Sequence, residues 1–388
     1  MLSLKILFRN IRKAVLEPGY AFKVFFKRAA AFLSYKFRND GKSSSPESIT
    51  FFLTYKCNLR CKMCGQWGDA GSNKDFNPEK VNAAIDIDSY IRILEEFKRE
   101  KPHITLFGGE PLLYKDIERL IVAIKSRGFH LGIITNGTLL KNHARTIVEQ
   151  GVDVVSLSVD GPGELHDTIR NLEGAFNRIK EGSAAVKALK KELKAEKPVI
   201  NIVCTISDLN YRTLNKLPEV AVELNADTLN LHHLIFAEDD VLAEHNKFFL
   251  DTFGAESKDW AGFVRPAVKS IDTEKLADDL GNIKAKKQPF LLTVYPDFSR
   301  KELTRYYTEK DFVSEEYPRR CISPWVVAYI YPNGDVLPCH SLGLVAGNIH
   351  QEPFLAAWNG GRMRDFRRKL KAAKHFKVCP KCTEMYRY

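Results

Sequence analysis

The chain has 388 residues and a formal net charge of +11, from 59 Lys and Arg against 48 Asp and Glu. Its length and globular composition suit one large α/β domain with a smaller companion. No run of about 18 uncharged apolar residues occurs, so no transmembrane helix is predicted. Because the eight cysteines fall mostly into two groups in a long chain, a small disulfide scaffold is excluded and metal ligation in a cytoplasmic protein is predicted.

Residues 1–47 form a predicted basic, amphipathic helical extension that ends in a polar linker. Two helices are expected, one over 2–16 and one after Pro18-Gly19. Their cationic and apolar faces suit peripheral contact with an anionic inner membrane surface. They suit equally well the packing of both apolar faces on the following domain. In the second helix the apolar face consists of Phe22, Phe25, Phe26, Ala29 and Leu33, with Lys23 and Lys27 on another side.

Six apolar, strand-like runs then alternate with helical stretches. This alternation predicts parallel strands joined by right-handed crossovers. Since a closed barrel needs eight such units, the prediction for residues 48–235 is a partial (β/α)6 barrel of the TIM type. The runs lie at 49–54, 103–107, 130–135, 152–159, 199–206 and 227–233, and helices are predicted at 88–100, 114–127, 139–150, 174–194 and 211–224.

From residue 236 onward, the chain no longer shows the regular alternation of strands and helices. Residues 236–320 are more polar and are predicted to be a helical connector or lid, with one apolar run at 289–296. In "WVVAYIYPNGDVLPC" two strand-like runs flank Asn333-Gly334, a pair that favours a hairpin. Residues 321–388 are therefore predicted to be a small β-hairpin and helix domain. The predicted fold class is α/β, a partial barrel with this C-terminal domain and the N-terminal helical extension.

Three cysteines, Cys57, Cys61 and Cys64, lie in the loop after the first predicted strand. A structural zinc site is closed by four ligands, and no fourth ligand is near in sequence. Three thiolates would instead hold three irons of a cubane iron–sulfur cluster. The fourth iron would then be open to a small chelating molecule. A zinc loop or a chance grouping remains the alternative at this point.

The loop resembles the signature of the radical S-adenosylmethionine (SAM) enzymes, Cys-x3-Cys-x2-Cys directly after a strand, although Met63 stands where many members carry an aromatic residue. The likeness continues in "GGEP", "TNGT", "SLSVDGP" and "HDTIR". It implies that a SAM-binding [4Fe–4S] cluster supplies an electron that splits SAM, and that the resulting 5′-deoxyadenosyl radical removes a hydrogen atom from substrate. The implied ligands are Cys57, Cys61 and Cys64 for iron and Gly108, Gly109, Glu110, Asn136, Ser158 and Arg170 for SAM.

A second group of cysteines, Cys321, Cys339, Cys379 and Cys382, offers four thiolates with no vacancy. Four ligands suit either zinc or an iron–sulfur cluster. The spacing Cys-x12-Gly-x4-Cys on a hairpin, followed by a helix and Cys-x2-Cys, is similar to the twitch form of the SPASM domain. This resemblance implies an auxiliary [4Fe–4S] cluster, and full ligation by protein suits electron transfer.

The resemblance implies an enzyme that oxidises or modifies an unactivated C–H or C–OH centre of a small or lipid-linked substrate. Reduced ferredoxin or flavodoxin is the expected electron donor. A peptide-modifying maturase is the alternative within the family, and a non-catalytic metal-binding membrane or RNA adaptor is the alternative from another class. Since the basic block 361–377 lacks an interleaved aromatic pattern for base stacking, a nucleic-acid substrate is not expected.

Four further residues keep two interpretations, and none is assigned a catalytic role. Cys204 lies in an apolar run and suits either the core or a thiol facing the barrel interior. His232 and His233 end the sixth predicted strand, where either a substrate contact or an ordinary loop role is possible. His340 follows a cluster cysteine and is expected to be solvated or to support the ligands rather than bind metal.

Overall fold

The computed structural model describes residues 18–388. Ten strands form one sheet: β1 (Ser48–Phe52), β2 (His103–Phe107), β3 (Leu131–Thr135), β4 (Val154–Ser158), β5 (Val199–Ile206), β6 (Thr228–His233), β7 (Leu291–Tyr295), β8 (Val327–Ile330), β9 (Asp335–Leu337) and β10 (Gly347–Asn348). Their order across the sheet is β10-β9-β8-β1-β2-β3-β4-β5-β6-β7. The two ends of this order are not paired with each other, so the sheet is an open barrel, as predicted.

Helices join the strands and cover the outer face of the sheet. The α-helices are α1 (Pro18–Phe37), α2 (Pro78–Asn82), α3 (Ile87–Glu96), α4 (Ile117–Ser126), α5 (Leu140–Glu149), α6 (Gly163–Arg170), α7 (Ala175–Glu192), α8 (Leu217–Glu223), α9 (Asp239–Phe253), α10 (Thr273–Ala285), α11 (Arg300–Thr308), α12 (Ser323–Val326), α13 (Phe354–Trp358) and α14 (Gly361–Ala373). Short 3-10 turns lie at Pro111–Leu113, Tyr211–Lys216, Lys258–Phe263, Pro266–Ser270, Cys379–Lys381 and Thr383–Tyr386. In residues 18–388 no helix is both long and apolar enough to cross a membrane.

The parallel part of the sheet is wider than the six predicted strands. Strand β7, which is the apolar run of the predicted connector, pairs in parallel with β6, and β8 pairs in parallel with β1. Both additions satisfy the backbone of strands that would otherwise be edges beside a buried core. The predicted hairpin is confirmed, because β8 and β9 are antiparallel around Asn333-Gly334 and Gly334 has φ +86°.

The two faces of the central strands differ in character. Ile104, Ile133 and Val155 are fully buried beneath the helices. The neighbouring residues of the same strands, such as Thr105 and Ile134, face a cavity inside the barrel. Inner positions are thus partly polar, because this face surrounds a space for a ligand rather than a packed core.

Helix α1 packs on the N-terminal ends of the strands through its polar side. Lys27 Nζ donates to the Pro46 carbonyl at 3.0 Å. Arg28 forms two bonds to Glu47, at 2.6 and 2.9 Å. Tyr20 stacks on His130 with ring centroids 3.9 Å apart. The strand ends present carbonyls and a carboxylate, so they attract the cationic side of the helix rather than its apolar side.

The apolar face of α1 points away from the barrel. Its large side chains remain 53% to 68% exposed, namely Phe22, Phe25, Phe26, Leu33 and Phe37. The interpretation that this face packs on the barrel is therefore wrong for the second predicted helix. The first predicted helix, over 2–16, lies outside the described residues.

Part of the basic block in α14 holds the N-terminal linker in place. Arg367 is fully buried and donates to the carbonyls of Pro324 and Gly41. Lys371 Nζ donates to the carbonyls of Lys36 and Arg38. These cations therefore have structural partners.

Candidate active site

The first cysteine loop leaves the carboxyl end of β1, where parallel α/β folds build their active sites. Cys61 is buried, and Cys57 and Cys64 are half-buried. Backbone N–H groups point at two of the sulfurs, with Leu59 N 3.4 Å from Cys57 Sγ and Trp67 N 3.3 Å from Cys64 Sγ. Such donors stabilise the negative charge of thiolate ligands. Burial raises the pKa of Cys57 to about 12, so the positive charge of iron is what would make this thiol a ligand.

The "GGEP" segment after β2 lies directly against the start of this loop. Gly109 N donates to the Thr54 carbonyl and Glu110 N donates to the Lys56 carbonyl, both at 2.8 Å. A Cβ atom at Gly109 would lie 2.1 Å from the Lys56 carbonyl oxygen, so only glycine fits there. The two glycines therefore fix the cysteine loop on the barrel, and their contact with SAM stays a prediction.

Glu110 is fully buried, and its carboxylate is already engaged by the protein. It accepts hydrogen bonds from Thr135 Oγ1 at 2.7 Å, Asn136 N at 2.8 Å and Leu112 N at 3.0 Å. Burial raises its pKa, although these bonds oppose the shift. Asn136 in turn donates through Nδ2 to Asn58 Oδ1 at 2.9 Å. Both predicted SAM residues thus connect the ends of β2 and β3 with the cysteine loop.

Arg170 at the end of α6 reaches the same loop. One guanidinium nitrogen lies 2.6 Å from Asp160 Oδ2, and another donates to Cys61 Sγ at 3.7 Å. The Nε atom of Arg170 is buried and has no partner among the described residues. This vacant donor beside Cys61 fits a negatively charged group, such as cluster sulfide or a SAM carboxylate. Ser158, the last residue of β4, is half-buried, and its hydroxyl makes no hydrogen bond to another residue within 18–388.

The four cysteines of the second group line one small cavity beneath the hairpin. Cys379 and Cys382 are buried, and Cys321 and Cys339 are half-buried. The indole Nε1 of Trp260, a buried residue that lines this cavity, has no hydrogen-bond partner within residues 18–388. In that part of the chain no three acidic, Cys or His side chains converge on a point suited to a single ion. The four sulfurs and the vacant N–H donor fit a larger iron–sulfur group.

A cavity of about 540 Å³ joins the two sites. It is bounded by Gly65 and Gln66 of the first cysteine loop at one end. Tyr329, His340 and Glu384 line both this cavity and that of the second cysteine group. Its volume lies in the range of small-molecule sites, so it is the candidate substrate cavity.

The segment Lys258–Phe263 touches both cysteine sites. A Cβ at Gly262 would lie 1.9 Å from the carbonyl of Gly65, so its backbone abuts the first loop. Trp260 lines the second site, and Asp259 lines the large cavity, where burial raises the pKa of its carboxyl. The predicted connector thus contributes walls to the candidate active site.

The structure shows where the four residues with two interpretations lie. Cys204 is fully buried on the helix-covered face of β5, where Asn210 Nδ2 lies 3.5 Å from its sulfur, and this is a core position. His233 is also buried and bonds to Tyr307 Oη at 2.8 Å. His232 is half-buried beside Tyr295 of β7, with ring centroids 5.2 Å apart. His340 lines both the large cavity and the cavity of the second cysteine group.

Sequence reasoning missed Trp260 and Arg387, which line the two cavities. Neither residue belongs to a motif, and each is brought in by the path of the chain rather than by local spacing. The sequence did contain one signal for Arg387, which is its position shortly after "CPKC". A segment that follows two cluster ligands must begin beside the cluster.

Comparison with known proteins identifies the class of protein that this site defines. A family profile for the radical SAM superfamily matches residues 51–231, and a profile for the SPASM iron–sulfur cluster-binding domain matches residues 321–383. The chain belongs to the radical SAM superfamily, is a radical SAM enzyme and carries a C-terminal SPASM-type domain. Its cofactors are accordingly SAM, a SAM-binding [4Fe–4S] cluster and an auxiliary cluster. Membership in this enzyme family excludes the alternative of a non-catalytic adaptor. The assignment of individual residues as ligands stays a prediction.

Two curated relatives are similar to this chain in sequence. It is 26% identical over 362 residues to the AdoMet-dependent heme synthase of Methanosarcina barkeri strain Fusaro, a match that spans 88% of this chain and 92% of that protein. It is 31% identical over 196 residues to the pre-heme d1 synthase of Dinoroseobacter shibae, which covers 50% of this chain and 45% of that protein. The second match spans about half of each protein.

Two solved structures share the fold. Streptococcus suis SuiB bound to the precursor peptide SuiA has a TM-score of 0.61 at 16% identity, covering 89% of this chain and 73% of that chain. Native anSMEcpe with bound AdoMet has a TM-score of 0.51 at 19% identity and covers 82% of each chain. At these identities the likeness confirms the α/β partial barrel and carries no information about the substrate.

Proposed function

We propose that this enzyme oxidises or otherwise modifies an unactivated C–H or C–OH centre of an organic substrate held in the large cavity. The observation that supports this proposal is the continuous space from Gly65 in the first cysteine loop to Tyr329 and His340 beside the second cysteine group. A substrate in this space would lie between the site of hydrogen abstraction and a group able to accept an electron. An auxiliary cluster suits a reaction in which the substrate radical is oxidised.

The reaction would use SAM and a one-electron reductant, for which we propose reduced ferredoxin or flavodoxin. When bound, the first cluster supplies the electron that splits SAM into methionine and the 5′-deoxyadenosyl radical. The protein's own residues act by position: Gly108, Gly109 and Asn136 hold the loop, and Arg170 offers a donor for the SAM carboxylate or the cluster. The cavity walls keep water away from a reactive radical.

Anaerobic reconstitution followed by reduction tests this function. We expect 5′-deoxyadenosine to form from SAM when dithionite is the reductant. The variant in which Cys57, Cys61 and Cys64 are all replaced by Ala should form none. Formation of 5′-deoxyadenosine by that variant at the rate of the unsubstituted protein would overturn the assignment of the site.

A tetrapyrrole is a second candidate substrate, favoured by the nearly full-length similarity to a protein named as a heme synthase. The cavity has flat aromatic walls: the rings of Phe52 and Tyr331 are stacked at 4.4 Å with an angle of 7°, and Phe107 and Tyr55 also line the space. Aromatic side chains pack well against planar ligands. A titration with coproporphyrin III distinguishes the candidates, because binding in the cavity should shift the porphyrin absorbance and an excluded porphyrin leaves it unchanged.

We also propose peripheral contact with an anionic membrane through α1, which would suit a lipid-linked substrate. Phe22, Phe25 and Phe26 form an exposed apolar face, and the lysines on the other side of the helix are engaged by the barrel. An amphipathic helix with exposed aromatic residues binds the membrane interface through its apolar face. Lys36 and Arg38 at its end are exposed cations that favour anionic lipid.

Flotation with vesicles of phosphatidylglycerol and phosphatidylcholine tests the membrane contact. The variant Phe22→Ser, Phe25→Ser, Phe26→Ser should lose flotation with its melting temperature unchanged, because these side chains are exposed. The matched control is Phe248→Ser, Leu250→Ser, which removes two exposed apolar side chains elsewhere. Equal flotation by all three proteins would contradict the role of this face.

A further inference from the structure

The large cavity runs along the strands from one end of the barrel to the other. Gly65 and Gln66 line it at the carboxyl ends of the strands, and Ser48, Thr50 and Val327 line it toward their amino ends. At about 3.3 Å per residue, β1 alone spans about 13 Å of this depth. A substrate whose reactive carbon lies near the first cysteine loop would therefore extend toward a floor formed by other residues.

Three hydroxyl groups converge on this floor from adjacent strands. Thr50 and Thr105 are directly paired in the β1–β2 ladder, and Ser48 lies two residues before Thr50 on the same face. All three residues line the cavity. The structure records no side-chain hydrogen bond from any of these hydroxyls to another residue within 18–388. Hydroxyls that are mostly buried and unpartnered are suited to a polar group of a ligand.

A guanidinium faces the same space. The segment after Cys382 turns back into the barrel, so that Arg387 lines the cavity together with Ser48 and Thr50. About 48% of the Arg387 side chain is accessible although protein surrounds it, because it borders the cavity. Its Nη1 bonds to both carboxylate oxygens of Glu384, at 3.1 and 3.2 Å. Glu384 holds the guanidinium in place, and about half of the Arg387 side chain stays accessible.

The charges along the cavity set the orientation of a ligand. Toward the cysteine loop the lining includes Asp259, Asp335 and Glu256 against Lys80 and Lys258, which is an excess of one negative charge. This end disfavours an anion. At the floor one Arg is balanced by one Glu, and hydroxyl donors complete the site. A monoanion suits such a floor better than a dianion, since Arg387 is the only cation among the described residues that line this end of the cavity.

We propose that the floor formed by Ser48, Thr50, Thr105 and Arg387 binds a carboxylate of the substrate. The inference rests on the proposed function, because it identifies the chemical class of the substrate for the same cavity. Arg387 acts there as a specificity-determining residue: it fixes the far end of the substrate and so places a chosen carbon near the first cysteine loop. Arg side chains recognise carboxylates through paired N–H donors.

The test uses 4-phenylbutyrate as a probe, with its uncharged amide and phenyl phosphate as comparison ligands, titrated calorimetrically into the reconstituted full chain. We expect the acid to bind at least about tenfold more tightly than the amide, and Arg387→Gln to abolish that preference. Arg387→Lys, which keeps the charge, should retain part of it. The matched control is Arg368→Gln, since Arg368 is 47% exposed and also pairs with a carboxylate three residues away, but on the outer surface.

Each outcome decides the proposal. Equal binding of acid and amide, or an undiminished preference in Arg387→Gln, would overturn it, and tighter binding of phenyl phosphate would overturn the choice of a carboxylate. If Arg387→Gln does not fold, the isosteric double variant Thr50→Val, Thr105→Val should lower the preference for the acid, and no change would count against the floor. Reductive SAM cleavage by the unsubstituted protein is measured separately, so failure of the enzyme assignment and failure of the carboxylate site are distinguishable.

Discussion

The two cysteine sites are built differently, although both are expected to hold iron and sulfur. The first lies in a loop on which the large cavity opens, with Cys57 and Cys64 half-buried and Gly65 in the cavity wall. The second lies beneath the hairpin and α14, where Cys379 and Cys382 are buried and Cys321 and Cys339 are half-buried. Three ligands beside an open space leave room for a small molecule, whereas four ligands in a closed pocket leave none. The surroundings therefore suit the first site to binding a small molecule and the second site to electron transfer.

A shared element connects the two sites. The turn Lys258–Phe263 packs its backbone on Gly65 of the first loop and sends Trp260 into the second cavity. Movement of one site relative to the other is therefore restricted by direct packing. A fixed separation suits transfer of an electron from a substrate held between them.

The largest expected effect comes from removing the open site. Replacement of Cys57, Cys61 and Cys64 by Ala should reduce SAM cleavage below detection, because no other group in the proposed site donates the electron. Quantification of 5′-deoxyadenosine by chromatography measures this loss. Iron content should fall from about eight to about four atoms per chain, since the second site is intact.

Removal of the closed site should have the converse result. The variant Cys379→Ala, Cys382→Ala should also lose about half of its iron but continue to cleave SAM in the absence of substrate. Iron analysis together with the 5′-deoxyadenosine assay checks this expectation. Loss of SAM cleavage with the fold retained would show that the two sites do not divide the tasks as described.

A smaller effect is expected from Glu110→Gln. The substitution keeps the shape but replaces an acceptor of three hydrogen bonds by an amide, which brings an N–H₂ group against the donors of Leu112, Thr135 or Asn136. We expect a cost of about 2 kcal/mol, seen as about thirtyfold weaker SAM binding. Equilibrium binding of SAM to the reconstituted protein is the measurement. Unchanged affinity with an unchanged melting temperature would exclude Glu110 from both contact and support.

The smallest expected effect is a shift in the reduction potential of the auxiliary group. Trp260→Phe keeps an aromatic ring, although a smaller one, and removes the N–H donor that has no partner in the part of the chain described here. Loss of one hydrogen bond of about 1 kcal/mol to the auxiliary group should lower its potential by about 40 mV for one electron. A redox titration followed by EPR checks this shift, with Trp325→Phe as the control because Trp325 Nε1 is likewise unpartnered but is not in the cavity wall.

The sequence predicted the features that depend on local spacing. The cysteine loop, the "GGEP" turn and the hairpin at Asn333-Gly334 each need particular residues at fixed intervals, and the superfamily, the barrel class and the hairpin are confirmed. The orientation of α1 was not predictable in this way, because an amphipathic pattern does not say which face meets the barrel. Here Lys27 and Arg28 contact a carbonyl and a carboxylate at the strand ends. Phe22, Phe25 and Phe26 remain exposed.

The other differences between prediction and structure arise from contacts between residues that are far apart in sequence. The sequence predicts a connector for the run at 289–296, because nothing local shows that this run pairs with β6. Arg387 and Trp260 enter the cavities only through the three-dimensional path of the chain. The predicted domain boundaries and SAM contacts, including Ser158 and Arg170, stay predictions.

The most direct test of the difference between the sites is EPR spectroscopy of the Cys379→Ala, Cys382→Ala variant, which keeps the first group of ligands intact and removes two of the four cysteines of the second group. After anaerobic reconstitution and reduction, addition of SAM should change the g values of the remaining cluster, because SAM binds the iron that no cysteine holds. A spectrum that is identical with and without SAM, at a SAM concentration that saturates the unsubstituted enzyme, would contradict the account of an open site.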